Sequence, residues 1–322
     1  MNQHSSLKPR ASLLERAAEV YDFAAQIRPP ALPRQAPRAE KTPVVVAGPG
    51  EADELVLDRP VALEAAPAPR VRSFASTQPA RRGTISRGNL EEGGFIVPDG
   101  PVTGIAEEFR IIKRQLLLGT TGGTGIADDK RRMILVCSSQ PDEGKTFCAI
   151  NLALSLAGEK DTEVLLVDAD VAKPEILSIL GLDAGPGLTD AIIDADCDVN
   201  AFVIETDIEG LSVLPAGRQA NDVTELLASG RTRELLADLT ARHPNRILIF
   251  DSPPALMASP AAVLATHAGQ VLMVVRADHT PEADVREAIG LLSGCDNLSL
   301  MLNGTGLAAS SRRFGSYYGY GQ

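Results

Sequence analysis

The stretch RMILVCSSQPDEGKTF, residues 132–147, decides the fold class of this 322-residue chain. Its first part, RMILVC, is a short apolar run of the kind that forms a strand buried on both faces of a parallel sheet. The part that follows ends in Gly144, Lys145 and Thr146 and leads into a helical pattern. A strand, a polar loop and a helix in this order predict a phosphate-binding loop, with backbone N–H groups and a helix N-terminus aimed at phosphate oxygens.

The residue types in this loop indicate how it would bind a nucleotide. We expect Lys145 to reach the β- and γ-phosphates and Thr146 to bind Mg²⁺. The usual first glycine of such a loop is replaced by Ser139, so the position between a buried strand and a helix carries the prediction. The residues predicted to contact the nucleotide here are Ser139, Gln140, Pro141, Asp142, Glu143, Gly144, Lys145, Thr146 and Phe147.

Carboxylates stand at the ends of two further apolar runs. EVLLVDAD ends on Asp168 and Asp170, and RILIFD ends on Asp251. Because the carboxyl ends of parallel strands meet at one edge of a sheet, we expect these three carboxylates to meet Thr146 around one Mg²⁺. A single aspartate at a strand end often only caps a turn, but three of them beside the loop favour a metal site.

From about residue 103, apolar runs of strand length alternate with helical patterns. The strand-like runs after RMILVC are EVLLVDAD, LSVLPAG, RILIFD, QVLMVVRA and LSLMLN, and helical patterns separate them. Such alternation predicts a doubly wound α/β domain with a mostly parallel sheet, spanning residues 103–308. Its ligand should bind at the carboxyl ends of the strands.

The two ends of the chain differ from this domain in composition. Residues 1–100 hold 12 of the 22 prolines, so residues 1–102 are predicted to be a largely disordered leader. Within it, the capping-box residues Ser12 and Glu15 begin an apolar pattern that predicts a short helix near residues 12–27. Residues 309–322 are predicted to be a flexible tail, and they contain three of the four tyrosines of the chain.

Charge and hydropathy narrow the class of protein. The net charge of −11 argues against nucleic acid as a partner, because a protein that binds nucleic acid needs clustered Lys and Arg. The sequence has no run of about 18 apolar residues and no apolar signal segment at its start, and its four cysteines show no pairing pattern. These features predict a cytoplasmic protein.

With these motifs in view, residues 103–322 resemble the bacterial tyrosine autokinases of capsule and exopolysaccharide loci, the BY-kinases. SSQPDEGKT is similar to their Walker A motif, VLLVDAD to Walker A′ and ILIFDSPP to Walker B. EEFRIIKRQL is similar to their E-x-x-R-x-x-R oligomerisation helix, at Glu107, Arg110 and Lys113. The phrase DADVAKPEI and the proline-rich leader look most like the subgroup found beside exosortase (PEP-CTERM) loci.

The resemblance implies a P-loop fold of the MinD/ParA-like type and an activity, ATP- and Mg²⁺-dependent autophosphorylation of the tail tyrosines. It implies Lys145, Asp168 and Asp170 as catalytic residues, with Asp170 as the base and Asp168 nearer the metal, or the reverse. It implies Asn303 as a contact of adenine. The other residues that it assigns are the metal ligands Thr146, Asp168 and Asp251 and the phosphorylated Tyr317, Tyr318 and Tyr320.

The resemblance also implies partners and a location. A homo-oligomer, expected to be a ring, would pass each tail into the next subunit's site. A membrane-bound polysaccharide co-polymerase would activate the kinase, and a cognate tyrosine phosphatase would reverse its action. The chain would then be cytoplasmic and lie at the inner face of the cell membrane through its partner.

The sequence departs from the family pattern at three places. The position expected to be arginine in Walker A′ is Ala172, with Lys173 beside it. Asp142 occupies a loop position that is commonly glycine, and Lys113 is the last position of the oligomerisation motif, where it keeps the charge but loses a bidentate donor. Two alternatives stay open, a MinD/ParA-like positioning ATPase and a non-catalytic ATP-binding scaffold in which Ala172 and Asp142 would be signs of decay. The absence of an early lysine near Gln140 argues against the first.

Overall fold

The computed structural model describes residues 81–121, 128–194 and 196–305 of the chain. The predicted helix near residues 12–27 and the tail with Tyr317, Tyr318 and Tyr320 lie outside these residues.

The described residues form an α/β fold around one sheet of eight strands. The strands are β1 (Arg81–Gly83), β2 (Met133–Ser138), β3 (Glu163–Asp168), β4 (Ile204–Thr206), β5 (Leu211–Leu214), β6 (Arg246–Asp251), β7 (Gln270–Arg276) and β8 (Leu298–Asn303). Their order across the sheet is β1-β4-β5-β3-β6-β2-β7-β8, and every neighbouring pair is parallel except β4 and β5. The predicted mostly parallel sheet is therefore confirmed.

Helices cover both faces of this sheet. They are α1 (Arg87–Glu92), α2 (Gly104–Thr121), α3 (Asp128–Arg131), α4 (Lys145–Ala157), α5 (Ile176–Leu180), α6 (Leu188–Ile193), α7 (Val223–Ala228), α8 (Gly230–Ala241), α9 (Pro260–His267) and α10 (Glu282–Leu291). The core accordingly divides into two apolar clusters, one on each face. The first holds side chains from α8 and α9, and the second holds side chains from α2 and α4.

The three central strands place the candidate site. All six residues of β2 and of β6 are buried, as are five of the six residues of β3. The side chains of these strands are buried on both faces of the sheet, which explains why their sequences are continuous apolar runs and do not alternate between apolar and polar residues. Asp168 and Asp251 are paired Cα partners at the ends of β3 and β6, next to the end of β2.

The ordered domain begins earlier than the predicted boundary at residue 103. Strand β1 extends the sheet beside β4, and the backbone N–H of Ser86 bonds the carbonyl of Leu180. Ile85 and Leu90 are buried in the α2–α4 cluster, and Asn151 on α4 accepts from the backbone N–H of Ile96. The boundary was misplaced because proline content, which is low between residues 80 and 97, does not reveal a short edge strand.

Helix α2 carries the predicted oligomerisation residues, and they do not share one environment. Arg110 pairs with Glu107 within the helix, at the surface. Lys113 is buried, and its Nζ donates to the Ser155 carbonyl at 2.8 Å and lies 2.7 Å from a Glu159 carboxylate oxygen. Because the last carbonyls of a helix carry partial negative charge, Lys113 stabilises the C-terminal turn of α4. Within the described residues, its ammonium therefore joins two helices of one subunit.

The helices in the described ranges include none that combines the length and the apolar character needed to cross a membrane.

Lys113→Ala is expected to lower the free energy of unfolding by about 2 kcal/mol, because it leaves a helix-end carbonyl and a half-buried carboxylate without their cation. Arg114→Ala removes an equal charge from an exposed position of the same helix and should change it by less than about 0.5 kcal/mol. Urea unfolding followed by circular dichroism compares the two. Equal losses would contradict a role for Lys113 in joining α2 to α4.

Candidate nucleotide-binding site

The loop between β2 and α4 has the backbone of a phosphate-binding loop. Gly144 lies directly before α4 with φ of 93°, a left-handed conformation that glycine adopts without strain. A Cβ at this position would collide with the amide nitrogen of Asn303. Lys145 and Thr146 form the first turn of α4, so their side chains and the free N–H groups of that turn lie at the carboxyl ends of the strands.

Four hydrogen bonds hold this loop in place, one within the loop and three from neighbouring segments. The buried Glu143 side chain accepts from the Gln140 N–H at 3.0 Å and from the Thr280 hydroxyl at 2.5 Å. Asn303 Nδ2 donates to the Glu143 carbonyl at 2.9 Å, and Arg276 Nη1 donates to the Asp142 carbonyl at 3.1 Å. The loop is therefore fastened to the ends of β7 and β8 before any nucleotide is bound.

Arg276 and Thr280 were not predicted from the sequence. Arg276 is the last residue of β7, and Thr280 follows four residues later, accepting from the Arg276 N–H at 2.9 Å. The rule that ligand sites lie at the carboxyl ends of parallel strands could have drawn attention to Arg276. Its bond to a loop carbonyl depends on the neighbouring positions of β2 and β7 and has no signal in the sequence.

Asn303 and Phe147, both predicted to contact the nucleotide, contact other parts of the protein. The Asn303 amide nitrogen is bonded to the loop, which leaves the Oδ1 atom as the part of its side chain that could accept from a base. The Phe147 ring packs against Phe95, with ring centroids 4.9 Å apart. Phe147 can therefore serve a nucleotide through its backbone N–H, and the ring instead joins the N-terminal segment to α4.

Lys145 forms a buried ion pair with a carboxylate of the Walker A′ segment. Its Nζ lies 2.9 Å from Asp170 Oδ2, and both side chains are almost fully buried. Burial alone would lower the pKa of Lys145, but the negative charges of Asp251 and Asp170 outweigh it and raise that pKa. Lys145 therefore stays charged, and the ammonium expected to bind phosphate is held by Asp170 in the structure.

Asp168 and Asp251 form an acidic pair beside this ammonium. Burial, followed by repulsion from Asp251, raises the pKa of Asp168 to about 8. Burial also raises the pKa of Asp251 to about 7, and Lys145 and a hydrogen bond from Thr146 limit the increase. One oxygen of each carboxyl group, Oδ1, is buried without a hydrogen-bond partner among the described residues. Such orphaned oxygens indicate a missing cationic partner.

These residues fit magnesium bound together with a nucleotide. Across residues 81–121, 128–194 and 196–305, no three Asp, Glu, His or Cys side chains are grouped so that they could hold a metal ion by themselves. The expectation that three carboxylates surround one ion is thus not met, because Asp170 pairs with Lys145. Magnesium at nucleotide sites takes most of its ligands from phosphates and water, with one or two carboxylates. Thr146, Asp251 and Asp168 supply that kind of partial set.

Asp168→Asn is expected to stabilise the nucleotide-free protein at pH 8 by about 1–3 kcal/mol, since it removes a buried carboxylate next to another one. The Asp168 pKa is higher in the folded state than in the unfolded state. The free energy of unfolding of the wild type therefore falls, relative to that of the variant, as the pH rises from about 4 to about 8. The stability difference between variant and wild type should therefore shrink toward pH 4. Thermal unfolding across this range tests it, and an unchanged difference would contradict the environment described for Asp168.

Asn303→Ala is expected to weaken the binding of ATP and of GTP by the same factor, about fivefold, because it removes one hydrogen bond to the loop backbone. Titration calorimetry with Mg²⁺ and each nucleotide measures both affinities. Thr280→Val, which removes a bond to the same loop without approaching a base, is the matched variant. A selective loss of ATP binding in Asn303→Ala alone would instead identify Asn303 as an adenine contact.

Comparison with known proteins agrees with this geometry. A family model described as "AAA domain" matches residues 131–287. Tyrosine-protein kinase YwqD of Bacillus subtilis is 28% identical over 236 residues, 73% of this chain and 94% of YwqD. Tyrosine-protein kinase wzc of Salmonella typhimurium is 31% identical over 193 residues, 60% of this chain and 26% of wzc. The chain spans only about a quarter of the length of the first curated relatives that it matches.

A solved structure supports the same assignment. The crystal structure of the chimerical protein CapA2B2 matches with a TM-score of 0.56 and 25% identity, covering 69% of this chain and 92% of that one. The family model spans the loop between β2 and α4 together with Asp168 and Asp251. By sequence and by fold, the chain is similar to the bacterial tyrosine-protein kinases.

Proposed function

We propose that the chain is an ATP-dependent protein-tyrosine autokinase that phosphorylates Tyr317, Tyr318 and Tyr320 of its own tail. The observation that carries the proposal is the buried pair of Lys145 with Asp170, at a helix N-terminus and beside the acidic pair. A lysine ammonium, free N–H groups and under-coordinated carboxylates at one point supply what phosphoryl transfer requires, namely positioning and neutralisation of the charge on the transferred group.

The residues of the site divide this work. Lys145 and the N–H groups of the loop bind the β- and γ-phosphates, and Thr146 with Asp251 holds Mg²⁺, with Asp168 close to it. Bound Mg²⁺ neutralises charge that develops on the phosphate oxygens. The buried position of these groups strengthens each electrostatic contact, because the surroundings screen charge less than water does.

The acceptor hydroxyl needs a base, since the pKa of a free tyrosine is about 10. Asp168 lies beside Asp251 at the expected metal position, so bound Mg²⁺ would occupy its carboxylate. This favours Asp170 as the base. When phosphate takes Lys145, the Asp170 carboxylate is released from its ion pair and becomes available to the incoming hydroxyl.

The reach of the tail allows transfer within a subunit or between subunits. The chain from Asn303 to Tyr317 extends up to about 45–50 Å at about 3.3 Å per residue. We propose transfer between subunits of a homo-oligomeric ring, in which Glu107 and Arg110 on the surface of α2 take part. Phosphorylation adds about −1.5 to −2 charges per tyrosine, so a phosphorylated tail should leave an acidic domain and loosen the ring.

The wider setting is inferred from the similarity to the bacterial tyrosine-protein kinases. We propose a membrane-bound polysaccharide co-polymerase as the activating partner and a cognate tyrosine phosphatase as its opponent, with the kinase cytoplasmic and held at the inner face of the membrane by its partner. The exosortase-associated subgroup remains our prediction for the locus. No nucleic-acid partner is expected at a net charge of −11.

Mass spectrometry of the purified chain after incubation with ATP and Mg²⁺ tests the proposal. Phosphate on one or more of Tyr317, Tyr318 and Tyr320 is expected in wild type and in Lys160→Ala, which removes an exposed charge at the other end of α4. Lys145→Ala should show none. The cytoplasmic segment of a co-polymerase is then added. Unmodified tails together with steady ATP hydrolysis, before and after this addition, would contradict the kinase proposal and favour a positioning ATPase.

A further inference from the structure

Asp142, which departs from the family pattern, faces Lys173, which is the neighbour of the second departure, Ala172. Asp142 lies in the phosphate-binding loop, and Lys173 lies in the segment that follows β3. The Lys173 Nζ atom is 3.8 Å from Asp142 Oδ1 and 3.1 Å from Glu175 Oε1. The Lys173 side chain is 64% exposed and that of Asp142 is 82% exposed, so the contact spans the two loops on the solvent side.

The backbones on both sides of this contact are anchored to the catalytic centre. The Asp142 carbonyl accepts from Arg276, and Asp142 has φ of 60°, a left-handed conformation available to aspartate and asparagine. The Lys173 N–H donates to Asp170 Oδ1 at 3.2 Å and to the Asp170 carbonyl at 3.1 Å. Asp170 in turn pairs with Lys145, so Asp170 contacts both the Lys173 backbone and the ammonium expected to bind phosphate.

We propose that Lys173 is a second phosphate-binding cation of this site, for which Asp142 competes with the terminal phosphate of the nucleotide. In the nucleotide-free protein Lys173 is paired with Asp142 and Glu175. When ATP binds, the Lys173 ammonium turns to the γ-phosphate, and the Asp142 carboxylate is left in solvent. Lys173 then supplies to the phosphate the cation that is missing at Ala172, and in the absence of nucleotide it offsets the charge that Asp142 adds.

The strengths of the two interactions allow this exchange. An ion pair between exposed side chains contributes little to stability because water screens it and both side chains lose conformational freedom. A terminal phosphate with about two negative charges attracts the same ammonium more strongly than one carboxylate does.

The inference depends on the proposed function, since it assumes that Lys145 holds the nucleotide phosphates. It adds a distinguishing feature: Lys173 should bind the γ-phosphate and therefore affect ATP more than ADP. If Lys173 only supported the loop, its removal would weaken the binding of ATP and of ADP by the same factor.

Titration calorimetry of the full chain with Mg²⁺ and either AMP-PNP, a non-hydrolysable ATP analogue, or ADP provides the test. Lys173→Ala is expected to weaken AMP-PNP binding about fivefold and ADP binding less than twofold. Lys160→Ala, an exposed lysine about 20 Å away at the far end of α4, should change neither. Thermal unfolding of each variant checks that the fold is retained.

Asp142→Asn is expected to strengthen AMP-PNP binding about threefold when Lys173 is present and by less than twofold in the Lys173→Ala background. Asp161→Asn is the matched control, because Asp161 is exposed and has the same φ of 60° but lies at the opposite end of α4. A gain of equal size in both backgrounds would overturn the proposed competition and leave simple repulsion by Asp142.

Two outcomes separate this inference from the proposed function. If Lys145→Ala abolishes AMP-PNP binding while Lys173→Ala matches the Lys160→Ala control, the nucleotide site stands and the role of Lys173 is overturned. If wild type binds neither nucleotide, both proposals fail.

Discussion

The buried ion pair between Lys145 and Asp170 is the interaction on which the rest of the site depends. It keeps an ammonium among three carboxyl groups at the one edge of the sheet where the central strands end. Taking these charges out of water is costly, and the orphaned oxygens of Asp168 and Asp251 show that the protein alone does not satisfy them. The folded, nucleotide-free chain is thus arranged for ligands that bring both anionic phosphate and a divalent cation.

The phosphate-binding loop complements this centre with a rigid backbone. Glu143 is buried between the loop and the β7–α10 connection, and Asn303 and Arg276 bond two consecutive loop carbonyls. Because these contacts are made by the protein itself, they order the loop independently of a ligand. The contact between Asp142 and Lys173 is exposed instead, and in the proposed exchange it gives way to the nucleotide while Glu143, Asn303 and Arg276 keep their bonds to the loop.

The sequence predicted the central part of the fold well because burial on both faces produces unbroken apolar runs. Strands β2, β3 and β6 and the loop at Gly144–Thr146 were found in this way. Strands β1 and β4 have three residues each and pair at the edge of the sheet, where such short segments leave no periodic pattern. The acidic residues were located from strand ends, but the pairing of Asp170 with Lys145 depends on side-chain directions that spacing does not reveal. Lys113 was expected at a subunit interface, and its burial against α4 depends on how two helices pack.

A crystal structure with AMP-PNP and Mg²⁺ tests the central claim most directly. We expect Lys145 Nζ to leave Asp170 for the β- and γ-phosphates, Mg²⁺ to lie beside Thr146 and Asp251, and the loop backbone from Gln140 to Gly144 to move little. A nucleotide bound elsewhere, with the Lys145–Asp170 pair intact, would contradict it.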